Sequence, residues 1–234
     1  MSVFFTRRGE PPTLAKVASD FAVGESVLLT LNGTPTEFFV VHQGNPNPSM
    51  YDASCDGTWL LMKDCYIQQL WDNSTLNDYE NSHVHDYLNN EFFAMFDAKT
   101  KAAIKQVKIP YISDVEQETV STGTSGLPTK IFLPSVYEVG ITSKGSSYAP
   151  LIDGAVLAYF YNSDEVSSKR VARYDGVASH WWLRTPYVNT TSYSLTVSDK
   201  GNLGSYVVTT KFGIRPALIL PSDAEFDSDT NSLI

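Results

Sequence analysis

The chain has 234 residues, a length that suits one large domain or two small ones. Hydrophobic residues make up 42% of it and charged residues 18%, which is typical of a protein that folds around a core and excludes a disordered chain. Its formal net charge of −9 argues against a nucleic-acid-binding protein, because an acidic surface repels phosphate backbones.

The sequence carries no pattern for secretion or membrane insertion. The first 12 residues contain two arginines but no apolar core segment, which is unlike a secretory signal peptide. No apolar run reaches the roughly 18 residues that a membrane-spanning helix needs. Cys55 and Cys65 are too few for a disulfide framework, and we interpret them as reduced thiols. We therefore expect synthesis in the cytoplasm without a signal peptide, and no membrane insertion.

Residues 1–20 are predicted to form an N-terminal arm, followed by one domain over residues 21–234. The Arg, Gly and Pro residues of the arm disfavour regular structure. Two interpretations of it stay open. It attaches the domain to a larger assembly, or it is a frayed or surface-packed terminus.

Residues 26–42 are predicted to form a β-hairpin. Two apolar runs flank Asn32-Gly33, a dipeptide that favours a tight turn. The following Thr34-Pro35 could lengthen this loop. The pattern therefore predicts the hairpin but leaves the length of its turn open.

The middle of the chain is predicted to be helical. Ser82 is a candidate N-cap for a helix whose apolar residues recur at helical spacing as far as Phe96. Asp97 is a candidate cap for a short second helix, residues 134–139 are predicted as a third, and residues 113–129 as an exposed loop. Strands are predicted over residues 58–62, 155–161, 180–184, 192–197, 205–210 and 214–220. Helices in the middle and β-structure at both ends predict the α+β fold class.

No set of residues forms a recognisable catalytic or metal site. His83 and His85 lie two positions apart, which places them on different faces of a helix and prevents them from sharing a metal ion. His180 has neither a nucleophile motif nor an obvious carboxylate partner in the sequence. We therefore predict a non-enzymatic protein with no catalytic residue, no metal site and no cofactor.

The most informative pattern is a pair of rigid segments around a polar one. Residues 180–186 (HWWLRTP) and 212–221 (FGIRPALILP) are rich in aromatic, Arg and Pro residues. Residues 187–211 between them are mainly small, hydroxylated, amide or tyrosyl side chains. This arrangement suits a scaffold that holds a binding face, since Tyr and Ser are also the residues that paratopes favour. The alternative is an ordinary edge hairpin with Thr and Tyr cross-strand pairs.

The same segments carry a family resemblance that covers nearly the whole chain. The patterns W-W-L-R-T-P at 181–186 and G-I-R-P-A-L at 213–218 resemble a family of bacterial and phage proteins of largely unassigned function. Residues 79–89 are similar to a helix of that family. The resemblance implies a C-type-lectin-like fold of the formylglycine-generating-enzyme type. Those enzymes use paired cysteines with copper, but Cys55 and Cys65 lie in the N-terminal third, so an oxidase has little support.

In several members of this family the C-terminal segment is the variable region of a diversity-generating retroelement. An error-prone reverse transcriptase rewrites adenines there, so that Asn codons become codons for Tyr, Ser, Thr and other residues. The resemblance therefore implies that residues 187–211 form a variable ligand-binding segment. The implied ligand-binding residues are Trp181, Tyr187, Asn189, Thr190, Thr191, Tyr193, Leu195, Asn202, Tyr206, Val208 and Thr210.

The flanking segments are expected to form the scaffold of this site. Trp181 and Trp182 would alternate faces of a strand, with one in the core and one near the site. Arg184 and Arg215 are candidates for buried, multiply hydrogen-bonded anchors. Gly213 and Trp182 are assigned to the same scaffold. A rigid frame lowers the cost of ordering the segment when a partner binds.

The function implied is a ligand- or receptor-binding protein of a phage or prophage tail, located in the virion or at a bacterial cell surface. Its expected partners are a bacterial cell-surface protein or glycan and, through the N-terminal arm, other virion proteins. A homotrimer is expected by analogy with phage fibres. The alternative is a structural virion subunit, either a decoration or a fibre protein, without a diversified site.

Overall fold

The described chain is built mainly from short β-strands. The computed structural model describes residues 15–114, 116, 118–142, 151–161, 166–188 and 190–234. The strands are, in chain order, β1 (Ala15–Val17), β2 (Ser26–Leu31), β3 (Thr34–Gln43), β4 (Thr58–Met62), β5 (Ile67–Leu70), β6 (Val107–Ile109), β7 (Tyr111–Asp114), β8 (Thr119–Ser121), β9 (Leu127–Thr129), β10 (Ile131–Phe132), β11 (Ala172–Tyr174), β12 (Val177–Ser179), β13 (Trp181–Pro186), β14 (Tyr193–Val197), β15 (Leu203–Val207), β16 (Lys211–Ile214), β17 (Ala217–Leu220) and β18 (Glu225–Asp227). The helical elements are α1 (His83–Tyr87), a π-helical turn (Leu88–Phe92), α2 (Ala98–Ala103), α3 (Val166–Arg170) and 3-10 turns at Ala18–Asp20, Ala53–Cys55 and Ala158–Phe160.

Two five-stranded sheets organise the fold. The strand order is β10-β17-β4-β3-β2 in the first sheet and β15-β14-β13-β16-β5 in the second. Neighbouring strands are antiparallel except for β13 and β16, which are parallel. The other strands form the two-stranded ribbons β1–β18, β6–β9, β7–β8 and β11–β12. Buried side chains from both sheets belong to one hydrophobic cluster, which includes the fully buried Trp59, Trp71, Trp181 and Trp182.

The predicted α+β class, with central helices and a C-type-lectin-like fold, is wrong. Strands account for 39% of the described residues and helical elements for 16%. The predicted central helices are short, because α1 gives way to a π-helical turn after Tyr87 and α2 has six residues. Helices of this length are marginal on their own and depend on packing against the sheets.

Three other sequence predictions are also corrected. Residues 134–139 form a turn instead of a helix. Ser135 and Glu138 exchange hydrogen bonds between their side chains and backbone amides (2.9 and 3.2 Å), as at a helix start, but Gly140 follows with a φ of 73°, a conformation that ends a helix. Residues 155–161 contain a 3-10 turn where a strand is predicted. The predicted exposed loop at 113–129 contains β8 and β9.

The predicted N-terminal hairpin is confirmed. Asn32 and Gly33 adopt positive φ angles of 49° and 75°, and Leu31 pairs directly with Thr34 across the turn. A two-residue turn with positive φ at both positions matches the right-handed twist of the strands that it joins. The loop is therefore not lengthened.

Both predicted helix caps are confirmed. The Ser82 hydroxyl accepts a hydrogen bond from the His85 amide (3.2 Å), and the Asp97 carboxylate accepts one from the Thr100 amide (2.7 Å). Such bonds satisfy amides that a helix start leaves unpaired. No helix of the described residues is long and apolar enough to cross a membrane.

The predicted arm divides into two parts. Residues 1–14 lie outside the described residues, and β1 pairs with β18 near the other end of the chain. The 3-10 turn that follows is held by hydrogen bonds from the Ala18 amide to the Ala224 carbonyl (2.8 Å) and from the Ser19 amide to the Ser222 carbonyl (2.9 Å). Residues 15–20 are therefore docked on the domain.

Two neighbouring segments of the chain connect the first sheet to the second, and we call them the crossings. One crossing joins β4 to β5, and the other joins β16 to β17 through Arg215-Pro216. The strand predicted over 214–220 is therefore split between the two sheets. The Met62 amide donates to the Pro216 carbonyl (2.9 Å), so the two crossings are hydrogen-bonded to each other.

Candidate functional site

The loop between β13 and β14 is held by a side chain from outside the predicted variable segment. Asn77 is buried, and its Nδ2 donates to the carbonyls of Tyr187 (3.0 Å), Thr190 (2.9 Å) and Tyr193 (2.6 Å). The Tyr187 amide donates to the Tyr193 carbonyl (3.0 Å) and closes the loop. We call residues 187, 188 and 190–193 the Asn77 loop. Because these bonds use backbone atoms, they do not depend on the identity of the loop's side chains.

Trp71 and Asp72, which precede Asn77 in the chain, contact the C-terminal part of the predicted variable segment at Val208. The amides of Trp71 and Asp72 donate to the Val208 carbonyl (2.8 and 3.2 Å), and the Val208 amide donates to the Ser192 carbonyl (3.0 Å). The Trp71 indole N–H donates to the Leu183 carbonyl (2.9 Å). The backbone at both ends of the segment is thus fixed by one neighbouring stretch of chain.

The predicted ligand-binding residues differ in accessibility. Trp181, Leu195 and Val208 are fully buried, so their prediction as ligand contacts is wrong. Asn189 lies outside the described residues. The exposed or half-buried residues of the predicted set are Tyr187, Thr190, Thr191, Tyr193, Asn202, Tyr206 and Thr210.

Strand β14 accounts for the burial of Leu195. It lies between β13 and β15, and Ser194 within it is fully buried, with its hydroxyl donating to the Thr185 carbonyl (3.0 Å). Ser194 and Thr196 of this strand therefore lie in the interior, although hydroxylated residues are typical of a surface. Trp181 and Trp182 are both fully buried as well, so neither ring is exposed to a ligand, in contrast to the expectation that one of them lies outside the core.

The accessible residues do not form one face. Tyr193 lies opposite Val207, and Tyr206 lies opposite Ser194, in the β14–β15 pair. Because successive positions of a strand point to opposite sides, Tyr193 and Tyr206 project from different faces of the sheet. Asn202 follows the far end of β14, roughly 15 Å from the Asn77 loop at about 3.3 Å per strand residue.

Tyr206 belongs to an aromatic patch that it forms with His180 and Phe212. Ring centroids lie 4.7 Å apart for Tyr206 and Phe212, and 5.0 Å apart for His180 and Phe212. Phe212 also contacts the buried ring of Trp182 at 5.3 Å. His180, which the sequence places beside Trp181 and Trp182 without a carboxylate partner, is thus a member of this patch.

A small cavity lies beside the Asn77 loop. Its volume is about 210 Å³, and it reaches Thr191 of the loop. Leu76, which is 56% exposed, and Ile112 supply apolar surface, whereas Asp78 and Ser113 supply polar groups. A cavity of this size holds one side chain or one sugar-sized group rather than a drug-sized molecule, whose pockets begin near 300 Å³.

Arg184 anchors the first rigid segment through a buried ion pair. Its guanidinium contacts both carboxylate oxygens of Glu138, at 2.5 and 2.7 Å. It also donates to the carbonyls of Pro110, Leu133 and Asp153. Burial opposes the charge of Arg184, but the adjacent carboxylate holds the pKa of the guanidinium above its ordinary value. As predicted, Arg184 is a buried and multiply hydrogen-bonded residue.

A second carboxyl group lies in the same network. Asp153 is fully buried and accepts a hydrogen bond from the Thr185 hydroxyl (2.7 Å). Burial raises the pKa of Asp153 to about 6, and the nearby Arg184 opposes that rise only in part. Asp153 therefore changes charge in a mildly acidic pH range, whereas an exposed Asp does so near pH 4.

Arg215 anchors the second rigid segment without an acidic partner among the described residues. It is 1% exposed and donates to the carbonyls of Met62 (2.9 Å), Lys63 (3.0 Å) and Arg170 (3.4 Å). Its guanidinium lies 5.1 Å from the centre of the Trp181 ring. Burial lowers the pKa of Arg215, although a guanidinium stays charged in proteins.

Gly213 is enclosed by its neighbours. A Cβ atom at this position would overlap the Cys65 sulfur and come within 3.0 Å of the His180 carbonyl. The glycine thus lets β16 approach the β4–β5 crossing closely. Burial raises the pKa of both Cys55 and Cys65 to about 12, so both are thiols at neutral pH.

Sequence reasoning missed the residues that support the site. Asn77, Trp71 and Glu138 lie 46 or more residues from their partners in sequence. A polar residue followed by a helix N-cap is common in loops, so Asn77 carries no local signal. Glu138 could have been suspected only from the need of a buried arginine for a carboxylate.

The comparisons with known proteins give one match. No curated protein and no solved structure matches the chain significantly. The profile of one family, described as a domain of unknown function (DUF6273), matches residues 56–222 and so includes both rigid segments up to residue 221. Since this match spans more than half of the chain, the protein belongs to the DUF6273 family.

Proposed function

We propose that the protein is a non-enzymatic ligand- or receptor-binding protein of a phage or prophage tail. Its binding surface is the Asn77 loop with the adjoining cavity, and its partner is a protein or glycan on a bacterial surface. The loop side chains are diversified by a retroelement, as the sequence resemblance implies. Trp181, Leu195 and Val208 have no part in this surface, because they are buried.

The hydrogen bonds of Asn77 are the observation that carries this proposal. A diversified loop needs a backbone that keeps its position while its side chains change. Asn77 contacts three loop carbonyls and lies outside the variable segment, so it supports the loop independently of the loop's own sequence. Such preorganisation lowers the entropic cost of binding.

The chemistry of the accessible side chains also suits recognition. Tyr187, Thr190, Thr191 and Tyr193 combine two amphipathic rings with two small hydroxyl groups. Tyrosine offers a large contact area with few rotatable bonds, and hydroxyl groups adapt to different partners. The cavity beside Thr191 adds a place for one protruding group of the partner.

Sequencing the gene from many independent clones tests the diversification. We expect adenine-derived substitutions at the codons of Tyr187, Thr190, Thr191 and Tyr193, and a nearby template repeat whose mismatches lie at adenines. The codons of the buried Leu195 and Val208 should vary little or conservatively, because polar replacements there would disturb the core. Substitutions spread evenly along the gene, or none, would contradict the proposal.

Binding of labelled protein to a panel of bacterial cells tests the recognition surface. The variant Tyr187→Ala/Thr191→Ala should lose at least tenfold in apparent affinity for cells that the wild type binds. The matched control is Asn202→Ala, at the far end of the same hairpin, which should bind within twofold of the wild type. A larger effect of Tyr206→Ala than of the loop variant would instead place recognition on the aromatic patch.

A further inference from the structure

A basic cleft lies where the chain crosses between the two sheets. Its volume is about 230 Å³. Four cationic side chains line it, from the two crossings, helix α3 and strand β11. They are Lys63, Lys169, Arg173 and Arg215. No residue of the Asn77 loop borders this cleft, which is therefore a separate site.

The cations of the cleft outnumber its carboxylates. Lys63 pairs with Glu37 (2.7 Å), which uses one positive charge. Asp64 supplies the other carboxylate, and its oxygen accepts a hydrogen bond from the Arg173 amide (2.8 Å). Four cations against two carboxylates leave an excess of two positive charges in a chain whose net charge is −9. This local reversal of sign focuses anions at the cleft.

Arg215 adds an unusual feature to this charge distribution. It is buried, yet no carboxylate forms an ion pair with it within the part of the chain that the structure describes. Buried charges in proteins are normally paired, because removal of a charge from water is costly. Its three hydrogen bonds go to neutral carbonyls, so its positive charge at the cleft is not neutralised by direct contact with a carboxylate.

Two stacked aromatic rings hold the lysines in place. The rings of Phe39 and Tyr159 lie 5.6 Å apart and nearly parallel. The Lys63 ammonium lies 6.0 Å from the Phe39 ring, and the Lys169 ammonium lies 5.0 Å from the Tyr159 ring. Lys169 also donates to the Tyr159 carbonyl (3.0 Å). The lysines are thus positioned before a ligand arrives, which lowers the cost of binding.

We propose that this cleft binds a phosphate group, either as free phosphate or as part of a phosphate ester. The two excess positive charges match the charge of a phosphate dianion, whereas a single carboxylate would neutralise only one of them. Guanidinium and ammonium groups are the side chains that bind phosphate through charge-assisted hydrogen bonds. The cavity accommodates a phosphate with a small substituent but not a large cofactor.

Titration calorimetry of the full chain with inorganic phosphate tests this site, with sodium chloride at equal ionic strength as the reference. A parallel titration uses glycerol 3-phosphate as the ester. The test variant is Lys169→Gln/Arg173→Gln, which removes two exposed or half-buried cations without changing the buried Arg215. The control variant is Lys99→Gln/Lys211→Gln, which removes the same charge from residues that do not line the cleft.

We expect the test variant to bind phosphate or its ester at least tenfold more weakly than the wild type, and the control to bind within twofold of it. Binding of the ester alone would assign the cleft to phosphate esters, and binding of both would assign it to the phosphate group itself. Absence of binding by both compounds, or equal losses in the test and control variants, would overturn the proposal. The outcome is independent of any test of the Asn77 loop.

Discussion

The two buried arginines of the rigid segments occupy opposite electrostatic environments. Arg184 faces Glu138 in a bidentate ion pair, with Asp153 close by, so its charge is compensated inside the fold. Arg215 contacts three neutral carbonyls and borders a cleft with three more cations. Similar sequence motifs, an arginine next to Thr-Pro or Pro, therefore lead to a closed structural network in one case and to an open site in the other.

The two environments differ because each guanidinium contacts a different part of the fold. Arg184 connects β13 to the turn that contains Glu138 and to the carbonyls of two other segments, all of which lie in the interior. Arg215 connects the two crossings between the sheets, where the first sheet ends and the second begins. A crossing leaves carbonyl groups outside any strand ladder, and a guanidinium satisfies several of them at once.

Removal of each guanidinium gives the largest expected difference between the two regions. Arg184→Met leaves Glu138 buried without its partner and should lower the free energy of unfolding by about 3–5 kcal/mol. Arg215→Met leaves only neutral carbonyls without donors and should cost about 1–3 kcal/mol. Urea denaturation of both variants measures the two losses. Equal losses of unfolding free energy in the two variants would mean that the ion pair with Glu138 makes no extra contribution to stability.

Only part of this arrangement could be predicted from the sequence. The Asn32-Gly33 turn and the caps at Ser82 and Asp97 were predictable, because the residues that form them are within a few positions of each other. The burial of Arg184 and Arg215 was also expected, from the role that the family resemblance gives to the two rigid segments. Their partners did not, because ion pairs and carbonyl contacts over long sequence separations leave no periodic signal.

The fold class and the accessibility of the binding residues were also difficult to predict, because both depend on which strands become neighbours in the sheets. The apolar run at 214–220 looks like one strand, and only the three-dimensional structure shows that Arg215-Pro216 moves it from one sheet to the other. Ser194 and its neighbours in β14 look like surface residues, but a central strand can bury hydroxyl groups that bond to backbone carbonyls. Composition alone does not distinguish these two environments.

The pH dependence of stability provides a second way to sharpen the comparison. Burial raises the pKa of Asp153 to about 6 in the folded state, above the ordinary Asp value of about 4. The folded protein therefore holds the proton more tightly, and the stability that this group contributes is present at low pH and lost as the pH rises from about 4 to about 6. The loss is up to about 3 kcal/mol, at about 1.4 kcal/mol per pKa unit.

Asp153→Asn isolates this contribution. The amide oxygen can still accept the hydrogen bond of the Thr185 hydroxyl, but the side chain no longer titrates. Urea midpoints at pH 4.5 and pH 7 should show a smaller decrease with pH in the variant than in the wild type. Identical pH profiles would show that Asp153 is not protonated in this range, and that Arg184 compensates both carboxylates.

The close packing beside Arg215 gives a third prediction. Gly213→Ala places a methyl group against the Cys65 sulfur, and the overpacking should cost about 1–3 kcal/mol. Cys65→Ala removes that sulfur, so the double variant should be destabilised by less than the sum of the two single changes. A double-mutant cycle in urea measures the coupling. Additive losses would show that the clash is relieved by a backbone shift instead.

The smallest expected effect concerns the exposed ion pair of the basic cleft. Lys63 and Glu37 are close to each other, with 46% and 37% of their side chains exposed. Because water screens such pairs, Lys63→Gln should lower the free energy of unfolding by at most about 1 kcal/mol. That difference should disappear at 1 M salt, where the screening length is about 3 Å, whereas the loss caused by Arg184→Met should persist. Salt-independent destabilisation by Lys63→Gln would mean that Lys63 stabilises the β4–β5 crossing by packing against Phe39 rather than by its charge.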